Sequence, residues 1–135
     1  MTDFPITIFH NPACGTSRNT IGIVEAAGYA PTVVEYLKTG WTRPQLETLI
    51  NQMGVTPRDL LREKGTPAAE LGLLELGVSD ESVLEAMLAH PILVNRPIVV
   101  TPLGAVLSRP SEKVLEVMDR KPARFVKEDG EVIKL

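Results

Sequence analysis

Apolar residues along this chain fall into short runs punctuated by glycine and proline, and their spacing changes from run to run. Ile6-Thr7-Ile8-Phe9 alternates apolar with polar, the period-two pattern of a short strand, and stops at His10-Asn11-Pro12. After Ala13-Cys14-Gly15-Thr16-Ser17 the spacing lengthens to three, through Ile21, Val24 and Ala27, and predicts a helix closing at Gly28. Thr16 or Ser17 is the predicted N-cap, and Gly28 the residue just past the C-cap. Thr32-Val33-Val34-Glu35-Tyr36 then predicts a second strand. A strand-helix-strand unit with connections this short favours parallel pairing.

The middle of the chain has helical spacing. Thr42-Arg43-Pro44-Gln45 has the form of a capping box with proline in the first turn; Leu46, Leu49, Ile50 and Met53 follow, and Gly54 stops the run. Thr56-Pro57 and Thr66-Pro67 each predict a cap followed by proline at the first position of a short helix. Ser79-Asp80-Glu81 opens another, with Val83, Leu84, Met87 and Leu88 on one face. Strand character returns at Pro97–Thr101 and Ala105-Val106-Leu107, separated by Pro102-Leu103-Gly104, short enough to turn an antiparallel hairpin. Pro110-Ser111-Glu112 begins a last predicted helix through Val114, Leu115, Val117 and Met118, and Asp129-Gly130 offers a turn for a small terminal hairpin. The order is β-α-β, a helical insert over about 42–90, then β-β-α. It matches an α/β thioredoxin-like fold: a mixed four-stranded sheet flanked by helices, with an inserted helical lobe.

Composition narrows the class. With 135 residues and no repeat, linker or low-complexity tract, the chain is expected to form one domain, 1–135. A domain of this size buries roughly two thirds of its unfolded surface and needs no disulfide or metal staple. Lys and Arg total 14 against 17 Asp and Glu, for a net charge of −3, and aromatic residues make up only 4%. That balance, without any basic run, argues against a nucleic-acid partner and against a polybasic membrane anchor. Apolar stretches such as Ile98-Val99-Val100 are far shorter than a bilayer span. Met1-Thr2-Asp3 carries an acid where a signal peptide carries Lys or Arg. The single cysteine excludes an internal disulfide, and a reducing cytoplasm is the expected compartment.

That cysteine occupies the most informative position. Cys14 lies between a strand end and a helix start, where free backbone N–H groups and the positive end of the helix dipole favour negative charge. A thiol so placed has its pKa lowered, and the thiolate is the nucleophile. The same amides suit an oxyanion, Gly15 lets a ligand approach the backbone, and Thr16 and Ser17 add hydroxyls. A lone cysteine is commonly a small buried hydrophobe. Polar neighbours on both sides make this one a poor core position and favour the reactive reading.

Other cysteine chemistries fail on spacing. Ser17 stands where a dithiol motif has its second cysteine, and Arg18 is four residues on, not the six of a tyrosine-phosphatase loop. One Cys and two distant His residues predict no metal site. The glycines form no Walker or dinucleotide pattern, and no Gly-x-Ser-x-Gly elbow is present. Of the eight arginines, Arg96 interrupts an apolar stretch and Arg109 follows a strand just before Pro110. A guanidinium in such surroundings needs an anionic partner, and its planar fork suits tetrahedral oxyanions. Arg62, after Leu60-Leu61, reads on spacing alone as a surface helix position. His10 either tunes the thiol or makes a structural bond at the strand end; His90 reads as structural, and Trp41 is expected to pack in the loop before its helix.

Three segments together carry a family likeness: His10-Asn11-Pro12-Ala13-Cys14-Gly15-Thr16-Ser17-Arg18-Asn19-Thr20, the run from Pro91 through Asn95-Arg96-Pro97 to Gly104, and Arg109-Pro110-Ser111-Glu112. The chain closely resembles the glutaredoxin-coupled bacterial arsenate reductases, from about Ile6 to Lys127-Glu128-Asp129-Gly130. The resemblance implies a thioredoxin-like fold with a helical insert. It implies that Cys14 attacks arsenate to form a covalent thiol–arsenate adduct, and that Arg62, Arg96 and Arg109 bind the oxyanion. His10 and Ser17 would hold and activate the thiolate, with Pro97 as a cis-proline beside it. Glutathione, a co-substrate and not a bound cofactor, would attack the adduct, and glutaredoxin would resolve the mixed disulfide to give arsenite. Ser108 departs from members with a second cysteine there, and the tail after Gly130 is shorter than the family pattern. Two rival readings remain: a redox regulator of the kind that binds RNA polymerase, disfavoured by the missing second cysteine and the three arginines, and a reductase homologue that acts on another oxyanion or has no arsenate activity.

Overall fold

A computed structural model of the chain describes residues 4–122, 124–130 and 132–134. It divides into two compact units, one formed by the chain up to Glu35 and from Arg96 onward, the other by Tyr36–Asn95.

The first unit is built on a four-stranded sheet in the order β2-β1-β3-β4. Strand β1 (Thr7–His10) lies parallel to β2 (Thr32–Glu35), in a register that sets His10 beside Glu35. On its other side β1 pairs antiparallel with β3 (Ile98–Thr101), which turns through Pro102-Leu103 into antiparallel β4 (Gly104–Leu107). The sheet is therefore mixed, as the strand order in the sequence predicts. Between β1 and β2 runs helix α1 (Gly15–Ala26). The residues after Pro110 form a 3₁₀ helix, Ser111–Val117, and β5 (Arg124–Val126) pairs antiparallel with β6 (Val132–Lys134). The Asp129-Gly130 turn thus closes the small hairpin, with Gly130 at φ +92°. The apolar core of this unit gathers Ile6, Ile8, Ile23, Val24, Val99, Val106, Val114 and Val117 between sheet and helices.

The second unit is helical. It contains α2 (Tyr36–Thr39), α3 (Arg43–Met53) and α4 (Asp80–Ala89), with 3₁₀ turns at Pro57–Leu60 and Pro91–Leu93. The Thr42 capping box forms as predicted, and Gly54 ends α3 in the left-handed conformation. Ser79 caps α4 by accepting from the Ser82 N–H. Trp41 is buried with its ring 4.9 Å from that of Tyr36, itself bonded to the Val94 carbonyl.

Four local expectations are corrected. The N-cap of α1 is Cys14 itself, not Thr16 or Ser17, because the Arg18 N–H already donates to the Cys14 carbonyl. The buried face of α1 runs through Ser17, Thr20, Ile23 and Val24, with Ile21 and Ala27 at its margin. No helix follows Thr66-Pro67. The Thr66 hydroxyl donates back to the Arg62 and Glu63 carbonyls while accepting from the Ala68 N–H, which closes a turn, and Gly72 reverses the backbone at φ +72°. The last helix is 3₁₀ throughout. Its buried residues Ser111, Val114 and Val117 recur every three positions, the repeat at which 3₁₀ side chains eclipse.

Candidate active site

The junction between β1 and α1 places Cys14 at the helix N-cap, only 9% exposed. Its backbone is fixed by the Cys14 N–H donating to the Asn11 carbonyl at 3.0 Å. Arg109 reaches it from the loop after β4, with Nη1 3.6 Å from Cys14 Sγ and 2.9 Å from the Arg96 carbonyl. Arg96, 8% exposed, precedes β3, and its guanidinium favours the thiolate form of Cys14. Burial pushes the Cys14 thiol pKa up. The Ser17 backbone N–H, the Arg96 and Arg109 side chains and the Arg96 charge push it down, and the balance falls below the ordinary thiol range. A buried sulfur alone would be an inert thiol; surrounded by donors, its thiolate form is favoured.

His10 and Ser17 form the inner wall. His10 Nδ1 lies 2.6 Å from Ser17 Oγ, which also accepts from the Asn11 N–H at 3.2 Å. Burial lowers the His10 pKa, against the opposing charge of Glu35 and with a contribution from Arg18, which favours the neutral imidazole. Ser17 thus has two parts: a backbone N–H directed at the thiol and a side chain fixed to the end of β1. Gly15 and Thr16 begin the first turn. A Cβ at Gly15 would meet Arg18 Nη2 at 3.6 Å and Glu128 Oε1 at 3.7 Å, ordinary contacts, so the fold itself does not require glycine there.

The first unit therefore brings together Cys14, His10, Ser17, Gly15, Thr16, Arg96 and Arg109. Arg62 belongs to the second unit, where its guanidinium donates to the Asn95 Oδ1 at 3.3 Å and the Lys64 carbonyl at 3.1 Å. The Arg96–Pro97 peptide is cis, as the resemblance implies, and Arg109–Pro110 is cis as well, which sequence reading missed. Also missed was Asn11, buried beside the cysteine, whose Oδ1 accepts from the Ala13 N–H. Its only signal was its place between two motif residues. Ser111, which donates to the Thr16 carbonyl across 95 positions, likewise had only its place in the Arg109–Glu112 segment as a signal. Among the described residues no three His, Cys, Asp or Glu side chains gather as a metal would require. No helix among them is long and apolar enough to cross a membrane.

A buried cysteine at a strand-helix junction of a mixed four-stranded sheet, with a cis-proline leading into β3, defines a thioredoxin-like protein. The chain belongs to the ArsC family, whose model matches residues 9–117. It is 57% identical to an arsenate reductase of Synechocystis sp. over 134 residues, covering 98% of this chain and 93% of that one. It is 54% identical to an arsenate reductase of Escherichia coli, covering 95% and 92%. The solved structure of an arsenate reductase from Vibrio cholerae superposes with a TM-score of 0.82 at 38% identity, over 87% of this chain and all of the other.

Proposed function

We propose that this protein is a cytoplasmic arsenate reductase that works through a Cys14 thiol–arsenate adduct and draws its electrons from glutathione and glutaredoxin. The observation that carries the reading is the coincidence of nucleophile and anion-binding groups: Arg109 Nη1 is 3.6 Å from Cys14 Sγ, and the charge of Arg96 favours the same thiolate. Guanidinium groups that stabilise a thiolate in the resting site are equally suited to the oxygens of a tetrahedral oxyanion. Gly15 and Thr16 offer backbone N–H groups at the same helix end. Arg62 keeps the oxyanion role that the resemblance gives it, which Arg62→Ala would measure.

In the proposed sequence the Cys14 thiolate attacks arsenic, forms the S–As bond and expels a protonated oxygen as water. The thiolate of glutathione then attacks the Cys14 sulfur. An S–S bond forms, the S–As pair stays on arsenic, and As(V) leaves as arsenite, As(III). A glutaredoxin thiolate takes the glutathionyl group and frees Cys14. His10 and Ser17 hold the Cys14 loop in place throughout, and no bound cofactor is required.

The test is arsenate-dependent NADPH consumption coupled through glutathione, glutathione reductase and glutaredoxin, each omitted in turn. Turnover should need all of them and should vanish in Cys14→Ser. Support by thioredoxin in place of glutaredoxin would overturn the partner, and wild-type rates in Cys14→Ser would overturn the mechanism. A folded, reduced protein inert toward arsenate would instead point to another oxyanion or to a regulatory role.

A further inference from the structure

Behind the site lies a set of buried hydroxyls with no part in the chemistry above. Thr20 and Ser108 are fully buried and Ser111 is 2% exposed. Ser111 Oγ donates to the Thr16 carbonyl at 3.0 Å, and Ser108 Oγ donates to the Ser111 carbonyl at 2.7 Å. Thr20 Oγ1 lies 2.9 Å from the Thr16 carbonyl and 3.3 Å from Ser108 Oγ. Each hydroxyl has one proton to give, and a carbonyl can only accept. The protons of Ser108 and Ser111 are therefore committed, and Thr20 forks its proton between the Thr16 carbonyl and Ser108 Oγ. Each hydroxyl is in use, and the directions are fixed.

The connections join two segments distant in sequence. One is the first turn of α1, which presents Cys14; the other is Ser108-Arg109-Pro110-Ser111, which presents Arg109. Ser108 and Ser111 flank Arg109 in sequence, and the bond between them closes the loop that carries its guanidinium. Besides its contact with Cys14 Sγ, Arg109 is anchored by its own N–H to the Leu107 carbonyl and by Nη1 to the Arg96 carbonyl, neither of which reaches α1.

We propose that Thr20, Ser108 and Ser111 are positioning residues whose hydroxyls clamp the Arg109 loop onto the first turn of α1, setting the contact between guanidinium and thiolate. The clamp rests on the reading of Cys14 as the nucleophile, and it is tested without arsenate. The readout is the ultraviolet absorbance of the Cys14 thiolate titrated in the free, reduced protein. Ser111→Ala should raise the thiol pKa, with about a tenfold loss of thiolate at a given acidic pH for each unit of rise. Ser111→Thr, which keeps the hydroxyl, should restore it. If the hydroxyls act through Arg109, Ser111→Ala should add nothing to the shift already produced by Arg109→Gln, the signature of a shared pathway in a double-mutant cycle. Ser108→Ala makes the same test from the other arm of the clamp if Ser111→Ala does not fold. A lower melting temperature with an unchanged thiolate titration would overturn the proposal, reducing the hydroxyls to packing. Additive shifts in the Arg109→Gln background would overturn it too. Because arsenate turnover is not measured, a failure here is distinct from a failure of the reductase assignment.

Discussion

At the scale of the residue, Cys14 is a contest between two effects of its surroundings. Burial disfavours the thiolate, while donors from Ser17, Arg96 and Arg109 favour it, and the donors win. The sign of the resulting pH dependence follows. A thiol pKa held below the ordinary range leaves the thiolate populated at lower pH than in free cysteine. The rate of alkylation by iodoacetamide should therefore rise through a midpoint below that of a free thiol, and Arg109→Gln should move the midpoint upward. A midpoint at the free-thiol position in the wild type would contradict the donor arrangement. The cysteine and its helix-start setting are legible from residues 6–28 alone. What the chain order does not reveal is the relative weight of Arg96 and Arg109, because their distance to sulfur is fixed by strands β3 and β4, not by neighbours in sequence.

At the scale of the element, helix α1 carries Gly22 against the terminal hairpin. A Cβ at Gly22 would stand 2.7 Å from the tip of the Phe125 ring, inside any real carbon–carbon contact. Alanine gains roughly 0.5–1 kcal/mol of helix propensity over glycine. Forcing a ring out of a packed site costs about 1–3 kcal/mol. Overpacking dominates, so Gly22→Ala should lower stability by about 1 kcal/mol in urea melts. It should also expose the hairpin to protease, since displacing Phe125 loosens the segment that places Glu128 against Arg18 and Asn19. A variant as stable and as protease-resistant as wild type would show that the ring yields freely. Elements with their own local signals, such as the Thr42 and Ser79 caps and the β3–β4 hairpin, are readable in the sequence. The segment after Thr66 is not, because a Thr-Pro pair looks the same whether the hydroxyl caps a helix or closes a turn. Likewise the 3₁₀ geometry of Ser111–Val117 is a choice made by packing, since Val114, Leu115, Val117 and Met118 are compatible with either helix.

At the scale of the whole molecule, the single cysteine dictates that any disulfide formed in turnover is shared with another molecule. Reduced protein mixed with arsenate and glutathione, without glutaredoxin, should accumulate one glutathione per chain by mass spectrometry, and adding glutaredoxin should release it. A mixed disulfide that forms equally fast without arsenate would break the proposed order of steps. The sequence by itself determined the order of the sheet strands and of helices α1, α3 and α4, the thiol at a helix start and the absence of a second thiol. Each is set by local periodicity, capping or residue identity. Tertiary structure alone decided the rest: the β2-β1-β3-β4 order brings Arg109 to a cysteine 95 positions away, and the hydroxyl contacts of Thr20, Ser108 and Ser111 fix the approach. Local propensities act over a few residues, whereas convergence of distant side chains depends on which strands pair and on what their burial leaves for each polar group to bond.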